Sequence, residues 1–215
     1  MRVYRDVLIL DTPFCNRKLV ISSDSLASIG NMPEDKVKVD PYLVGKYSAR
    51  VVLFEVLSVG AEPYAIINNL SIGTKNSERI IEGIKDEAQI PVFGSTEDNF
   101  PTKQTFLSIF CLGFADELRV GRSVEDDLVV AIGIPCVGVE VIENEQKLPD
   151  MQTINKLLQL DVHDIVPTGS KGVVHEVKVL ESETGLRFEK TNKSFPYEKS
   201  CGPSSVLLVT LSKSS

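Results

Sequence analysis

Several acidic residues stand where a carboxylate either performs chemistry or destabilises the fold. Glu55 lies inside Tyr47–Val59, a run that is apolar nearly all round apart from Ser48, Arg50, Glu55 and Ser58. A helix with that pattern is buried rather than amphipathic. No basic residue sits three or four positions from Glu55. A buried carboxylate without a partner costs several kcal/mol or holds its proton. Glu55 therefore requires a partner from elsewhere in the fold: a metal ion, or the hydrogen-bond donors of a neighbouring backbone or cleft edge. Asp24 follows the apolar run Lys18–Ser22 within Ser22-Ser23-Asp24-Ser25. These side chains bond their own backbone readily, so the segment reads as a plain turn. It also reads as a carboxylate presented at a strand end. Glu97 and Asp98 follow another short strand, and Asp6 lies near the amino terminus. Carboxylates from separate elements can converge on Mg²⁺, which completes its shell with phosphate oxygens and water. Phosphoryl transfer uses such a site, because positioning and charge neutralisation supply most of its catalysis.

The elements that must position these residues are mixed. Asp6–Asp11 and Lys18–Ser22 read as strands of a hairpin, Asn31–Asp40 as a loop, and the buried helix follows. Gly60 is placed as the left-handed residue ending that helix, and Pro63 prevents its resumption. Tyr64–Ile72 is a strand, and Asn76–Ile84 a helix with Asn76 as its cap. Ile90–Phe93 is a short strand. Thr105–Phe114 is apolar enough to be central in a sheet. Past a charged stretch from Asp116 to Asp127, the pattern predicts a strand at Leu128–Ile132 and a glycine-bearing turn from Gly133 to Glu140. A helix at Pro149–Leu160 follows, then a strand at Ile165–Val166, a helix to about Ser182, and strands at Leu186–Glu189 and Val206–Leu211. This order gives an α+β or α/β class, with a domain boundary near Gly121. Gly169-Ser170-Lys171-Gly172, before a helix, offers backbone N–H groups and one cation to an anion, or is an ordinary solvated helix start.

The bulk numbers narrow the function. A chain of 215 residues is one large domain or two small ones. Its net charge of −7 argues against a nucleic-acid surface. No run approaches membrane-span length, and the amino terminus lacks a signal-peptide core. Cys15, Cys111, Cys136 and Cys201 are widely spaced, which predicts buried thiols in a reducing, cytoplasmic setting. With only His163 and His175 present, any metal is expected to be hard and oxygen-bound, such as Mg²⁺.

Four motifs in order carry a family resemblance. Gly45–Pro63, ending Gly60-Ala61-Glu62-Pro63, resembles the G-x-D-L-V-A-M-x-V-N-D-x-x-x-x-G-A-E-P helix of the AIR synthase-like (PurM-like) superfamily. Val20-Ile21-Ser22-Ser23-Asp24 resembles its strand ending in an ATP- and Mg²⁺-contacting Asp. Gly94–Pro101 is similar to its G-G-E-T-A-E-M-P segment, and Val162-His163-Asp164-Ile165 with Thr168–Gly172 to its V-H-D-I…T-G-G-G. Glu55 stands where the family has a metal-binding Asp, Phe54 replaces an Asn, and Thr96 takes the place of the first Glu. The resemblance implies an α+β, two-domain fold with a shortened carboxy-terminal domain: an ATP/Mg-binding domain over 1–121 and a second over 122–215. It implies ATP contacts at Asp24, Ser25, Glu55, Gly94, Ser95, Thr96, Ser170 and Lys171. It implies Mg²⁺ ligands among Asp24, Glu55, Glu97, Asp98 and Asp6, with Asp24 also catalytic. The wording of Gly94–Thr102, Ile132–Pro135, Val166–Gly172 and Ser200–Ser204 is most similar to the α-ribazole kinase branch. The implied function is ATP-dependent phosphorylation of the small molecule α-ribazole by a homodimer, with thiamine monophosphate kinase-like, AIR synthase-like and non-catalytic nucleotide-binding readings as alternatives.

Overall fold

The computed structural model describes residues 1–13 and 16–213, leaving Cys15 outside. Two compact units are present: residues 1–57 with 61–117, and residues 58–60 with those from Leu118 onward. The first unit contains β1 (Arg2–Tyr4), β2 (Val7–Asp11), β3 (Lys18–Ala27), the short β4 (Ile29–Gly30) and β5 (Val37–Lys38), and α1 (Pro41–Ser58). It continues with β6 (Glu62–Leu70), α2 (Thr74–Ala88), β7 (Val92–Thr96) and β8 (Phe106–Ala115). Six strands form one sheet in the order β1-β2-β3-β8-β6-β7. As its apolar run predicts, β8 is central, antiparallel to both β3 and β6. Alternation then fixes the faces. Leu107, Ile109, Cys111 and Ala115 of β8 are buried, as are Val20 and Ser22 of β3. Helix α1 lies on this face: the Ser22 hydroxyl donates to the Val52 carbonyl at 2.7 Å.

Helix α1 starts earlier than its apolar run suggests. Asp40 accepts the Tyr42 N–H at 2.9 Å and Pro41 occupies the first helical position, a start that needs no apolar signal. Its other end is as read: Gly60 has φ 81°, and the Ala61 N–H returns to the Val56 carbonyl at 3.1 Å. Helix α2 packs on α1 at two glycines. A Cβ on Gly45 would lie 1.9 Å from the Ile80 carbonyl oxygen, and one on Gly83 2.0 Å from that of Tyr42. Arg50 and Glu87 form an ion pair of 2.6 Å between the two helices, their side chains only 5% and 9% exposed.

Four local readings need correction. Ser22–Ser25 is strand, not turn, because β3 continues against β8 as far as Ala27. The backbone bonds of that pairing outweigh local turn preference. The N-cap of α2 is Gly73 rather than Asn76. Leu186–Glu189 is not a strand; Phe188 instead packs on the second unit's core. Strand β1 has no counterpart in the sequence reading, being three residues long.

The second unit contains β9 (Leu128–Gly133), α3 (Val139–Glu143), α4 (Met151–Gln159), β10 (Val162–Pro167), α5 (Val173–Thr184) and β11 (Val206–Leu211). Its sheet is antiparallel, with β11 between β10 and β9. Val166, Val173, Leu180, Cys201, Val206 and Leu208 form its core. Asp164 is fully buried and accepts from the Gly121 N–H, the Ser123 N–H and the Ser123 hydroxyl at 2.6–2.9 Å. These bonds tie the segment before β9 to β10. The neighbouring His163 pairs with Asp127 at 2.6 Å.

Candidate functional site

The register of the first sheet assembles a row of residues from four strands. Asp24 of β3 pairs with Ile109 of β8, Ile109 with Asn68 of β6, and Asn68 with Gly94 of β7. Asp24 shares its face with the buried Val20 and Ser22, so its half-buried side chain points to the helix-covered side. Burial raises its pKa above the usual 3.8; the Ser25 N–H opposes the shift and the Asp6 carboxylate adds to it. Asp6 is exposed and lies in the turn before β2. The hairpin register, with Val7 opposite Ser22, places it beside the Ser23–Asp24 segment. Two carboxylates from separate elements therefore stand close enough to repel each other, which is the arrangement a bound cation relieves.

The remaining sequence-predicted residues are placed as follows. Glu55 is buried in α1 at 7% exposure and is engaged within the fold. Ser25 is exposed on the opposite face of β3 from Asp24. Gly94, Ser95 and Thr96 form the end of the edge strand β7, with Gly94 and Ser95 exposed and Thr96 half-buried. Glu97 and Asp98 are exposed just beyond it; the Glu97 carboxylate accepts the Asn99 N–H at 2.6 Å. Ser170 and Lys171 are exposed in the loop before α5. The Val174 N–H at the start of α5 already donates to the Tyr197 carbonyl at 2.9 Å. Among the described residues, no three His, Cys, Asp or Glu side chains are grouped to hold a metal ion. The structure thus brings Asp6 and Asp24 together and does not cluster Glu55, Glu97 and Asp98 with them. A pair still fits Mg²⁺, which is commonly held by one or two carboxylates plus substrate phosphates.

Asn68 is the residue the sequence reading missed. It is 2% exposed, and its Nδ2 donates to the Phe93 carbonyl at 3.2 Å. A Cβ on Gly94 would fall 2.1 Å from the Asn68 carbonyl oxygen and 2.8 Å from its side-chain carboxamide. Gly94 is therefore glycine because β6 approaches so closely, whatever else it contacts. The one available signal was Asn68-Asn69 inside an otherwise apolar strand.

Against this geometry, a family model described as AIR synthase related protein, N-terminal domain, matches residues 6–115. The chain belongs to the AIR synthase-related family. That span runs from Asp6 to the last residue of β8 and includes the whole row from Asp24 to Gly94. Solved structures share the wider α+β fold of this AIR synthase-related chain. Thiamine monophosphate kinase from Aquifex aeolicus is 16% identical with a TM-score of 0.69, covering 98% of this chain and 84% of its own. The structure described as AaThiL complexed with AMPPCP and TMP is 17% identical with a TM-score of 0.68, covering 97% and 79%. HypE from E. coli, a hydrogenase maturation protein, is 14% identical with a TM-score of 0.64, covering 91% and 71%. This chain spans about 71–84% of the length of these neighbours. No curated protein matches the sequence. No helix among the described residues is long and apolar enough to cross a membrane.

Proposed function

We propose that this protein is an ATP-dependent small-molecule kinase that phosphorylates the 5′-hydroxyl of α-ribazole. The observation that carries the kinase reading is the Asp6–Asp24 carboxylate pair, set on the sheet of an AIR synthase-related domain. The structural neighbour holding the ATP analogue AMPPCP supports nucleotide as the phosphoryl donor. The α-ribazole assignment rests on the sequence motifs Gly94–Thr102, Val166–Gly172 and Ser200–Ser204. A second reading, thiamine monophosphate as acceptor, is favoured by the neighbours that are thiamine monophosphate kinases.

In this reading the domain over 1–121 binds the nucleotide, and Ser170 and Lys171 of the domain over 122–215 offer a separate anion contact before α5. Asp24 and Asp6 would hold Mg²⁺, with nucleotide phosphates and water completing its shell. The ion supplies charge neutralisation on the transferred phosphate. Asp24 would also orient the attacking hydroxyl. Gly94, Ser95 and Thr96 would contact the nucleotide, with Asn68 holding that strand in place through the Phe93 carbonyl.

The second sheet face supports a homodimer. Leu19, Ile21, Phe110 and Leu112 are only half-buried there, and Phe93 is 76% exposed. A second copy closing this face would complete a barrel.

The deciding experiment incubates the purified protein with ATP, Mg²⁺ and α-ribazole, with thiamine monophosphate and β-nucleosides as controls. The expected products are α-ribazole 5′-phosphate and ADP, formed only with Mg²⁺. Asp24→Asn should abolish most turnover while leaving the circular dichroism spectrum intact. Preferential use of thiamine monophosphate would select the second reading. An active Asp24→Asn enzyme would mean the metal pair is misplaced, and no turnover with any acceptor would refute the kinase assignment.

A further inference from the structure

A cleft of about 780 Å³ opens in the first unit, between the loop after β3 and the start of α2. Its position follows from the sheet. Strands β3, β6 and β7 run in one direction, each antiparallel to β8 or parallel to its neighbour. Their carboxyl ends therefore gather at one rim, and α2 begins there, three residues after β6 ends.

The lining is basic in a chain whose net charge is −7. Lys38, Lys75 and Arg79 face one acid, Asp40. Arg79 grips Asp40 with two bonds of 3.1 Å, so its fork is already matched to a carboxylate. Lys38 is held in place by the Met32 and Pro33 carbonyls. Asn31 and Asn76 bond each other at 3.1 Å across the cleft. Lys75 is exposed and makes no hydrogen bond or ion pair among the described residues. Arg79 is shared between Asp40 and Glu82, so the cleft and its rim keep one net positive charge, and Lys75 is the uncommitted cation. The first turn of α2 adds its field in the same sense, having neither a side-chain cap nor an acidic residue.

Of the carboxylates, Glu55 is remote from the cleft: Pro41 lines it and Glu55 lies near the other end of the same helix, about 20 Å away at 1.5 Å of rise per residue. We infer that this cleft is a second binding site, for a small phosphate-bearing solute, recognised by Lys75 and Lys38 beside the Arg79–Asp40 pair. The two ammonium groups can act on a phosphate as point charges, whereas the fork of Arg79 is occupied by Asp40. The inference stands on the geometry of the first unit and does not depend on the kinase reading.

Titration calorimetry on the full chain tests it, at low salt and without Mg²⁺ or ATP. Inorganic pyrophosphate and ribose 5-phosphate serve as probes, separating a polyphosphate from a sugar phosphate as the natural source. At least one probe should bind saturably at one site. Lys75→Ala should weaken that binding about tenfold, the effect of losing one charge-assisted contact. Lys193→Ala, at an exposed lysine of the second unit, should leave it unchanged. The inference fails if neither probe saturates, if Lys75→Ala binds like the parent, or if both variants weaken binding equally. It also fails if Asp24→Asn abolishes probe binding, since the probes would then occupy the carboxylate site.

Discussion

Substituting Gly45 by alanine tests how the two helices of the first unit are joined. The new methyl would lie 1.9 Å from the Ile80 carbonyl oxygen, where real Cβ atoms keep at least 3.0 Å. Backbone must therefore retreat by more than about 1 Å, because neither atom sits at the end of a flexible side chain. That displacement loosens Ile80 and Ile84, both fully buried, and stretches the Arg50–Glu87 pair. Alanine returns about 1 kcal/mol of helix propensity. Overpacking of a tight contact removes about 1–3 kcal/mol, and an unyielding backbone partner puts this case at about 2–3 kcal/mol. A net loss of about 1–2 kcal/mol is expected, which lowers the melting temperature by roughly 2–4 °C per kcal/mol in a chain of this size. Gly83→Ala, facing the Tyr42 carbonyl at 2.0 Å, should behave alike. One separation of the helices relieves both clashes, so the double variant should lose less than the sum. Thermal unfolding followed by circular dichroism reads all three. Either single variant melting at or above the parent, or strict additivity in the double, would refute the reasoning.

Asp24 gives a pH-dependent prediction. Its pKa is raised in the folded protein, chiefly by burial, so the folded chain holds that proton more tightly than the unfolded one. The favourable contribution is complete below the ordinary value of 3.8 and is lost as pH rises through the folded value. Asp24→Asn should therefore be more stable than the parent at pH 7, and urea denaturation at a series of pH values should show the gain vanishing in acid. A difference independent of pH would count against it. For the buried pair, Arg50→Met or Glu87→Leu alone should cost about 3–5 kcal/mol, while the double change should come close to neutral. Additive losses in urea melts would show that the pair does not act as a unit. Sedimentation at micromolar concentration should find a dimer, and Phe110→Glu on the half-buried sheet face should shift it to monomer; a monomeric parent would remove the homodimer.

Features with a strong local signal were legible in the chain. The all-apolar run identified α1 and its buried Glu55, Gly60 marked where it stops, and the density of apolar residues put β8 in the middle of the sheet. What depends on distant partners was not. Ser22-Ser23-Asp24-Ser25 has turn chemistry, and only β8, more than eighty residues on, turns it into strand. The family resemblance placed Gly94 at the nucleotide, and nothing local in Gly-Ser-Thr says why a glycine is needed there. Its close neighbour Asn68 lies on another strand, and no spacing rule reports that approach. The proximity of Asp6 to Asp24 depends on a hairpin register set by Val7 opposite Ser22. Neither side chain carries any local sign of it.

The strand order has a consequence for how the chain is made. The sheet's central strand, β8, is the last of the six to be synthesised. Until it emerges, β3 and β6 have no strand to pair with between them, and α1 has only part of a surface to lie on. The β3–β8 pairing joins residues roughly 80–100 positions apart, so a large loop must close before the core exists. At about 5–20 residues per second of synthesis, the nascent chain spends several seconds with the buried stripe of α1 and the edge of β3 uncovered. A ribosome stalled after Thr96 should therefore hold a protease-sensitive chain, and one stalled far enough beyond Ala115 for β8 to clear the exit tunnel should hold a resistant first unit.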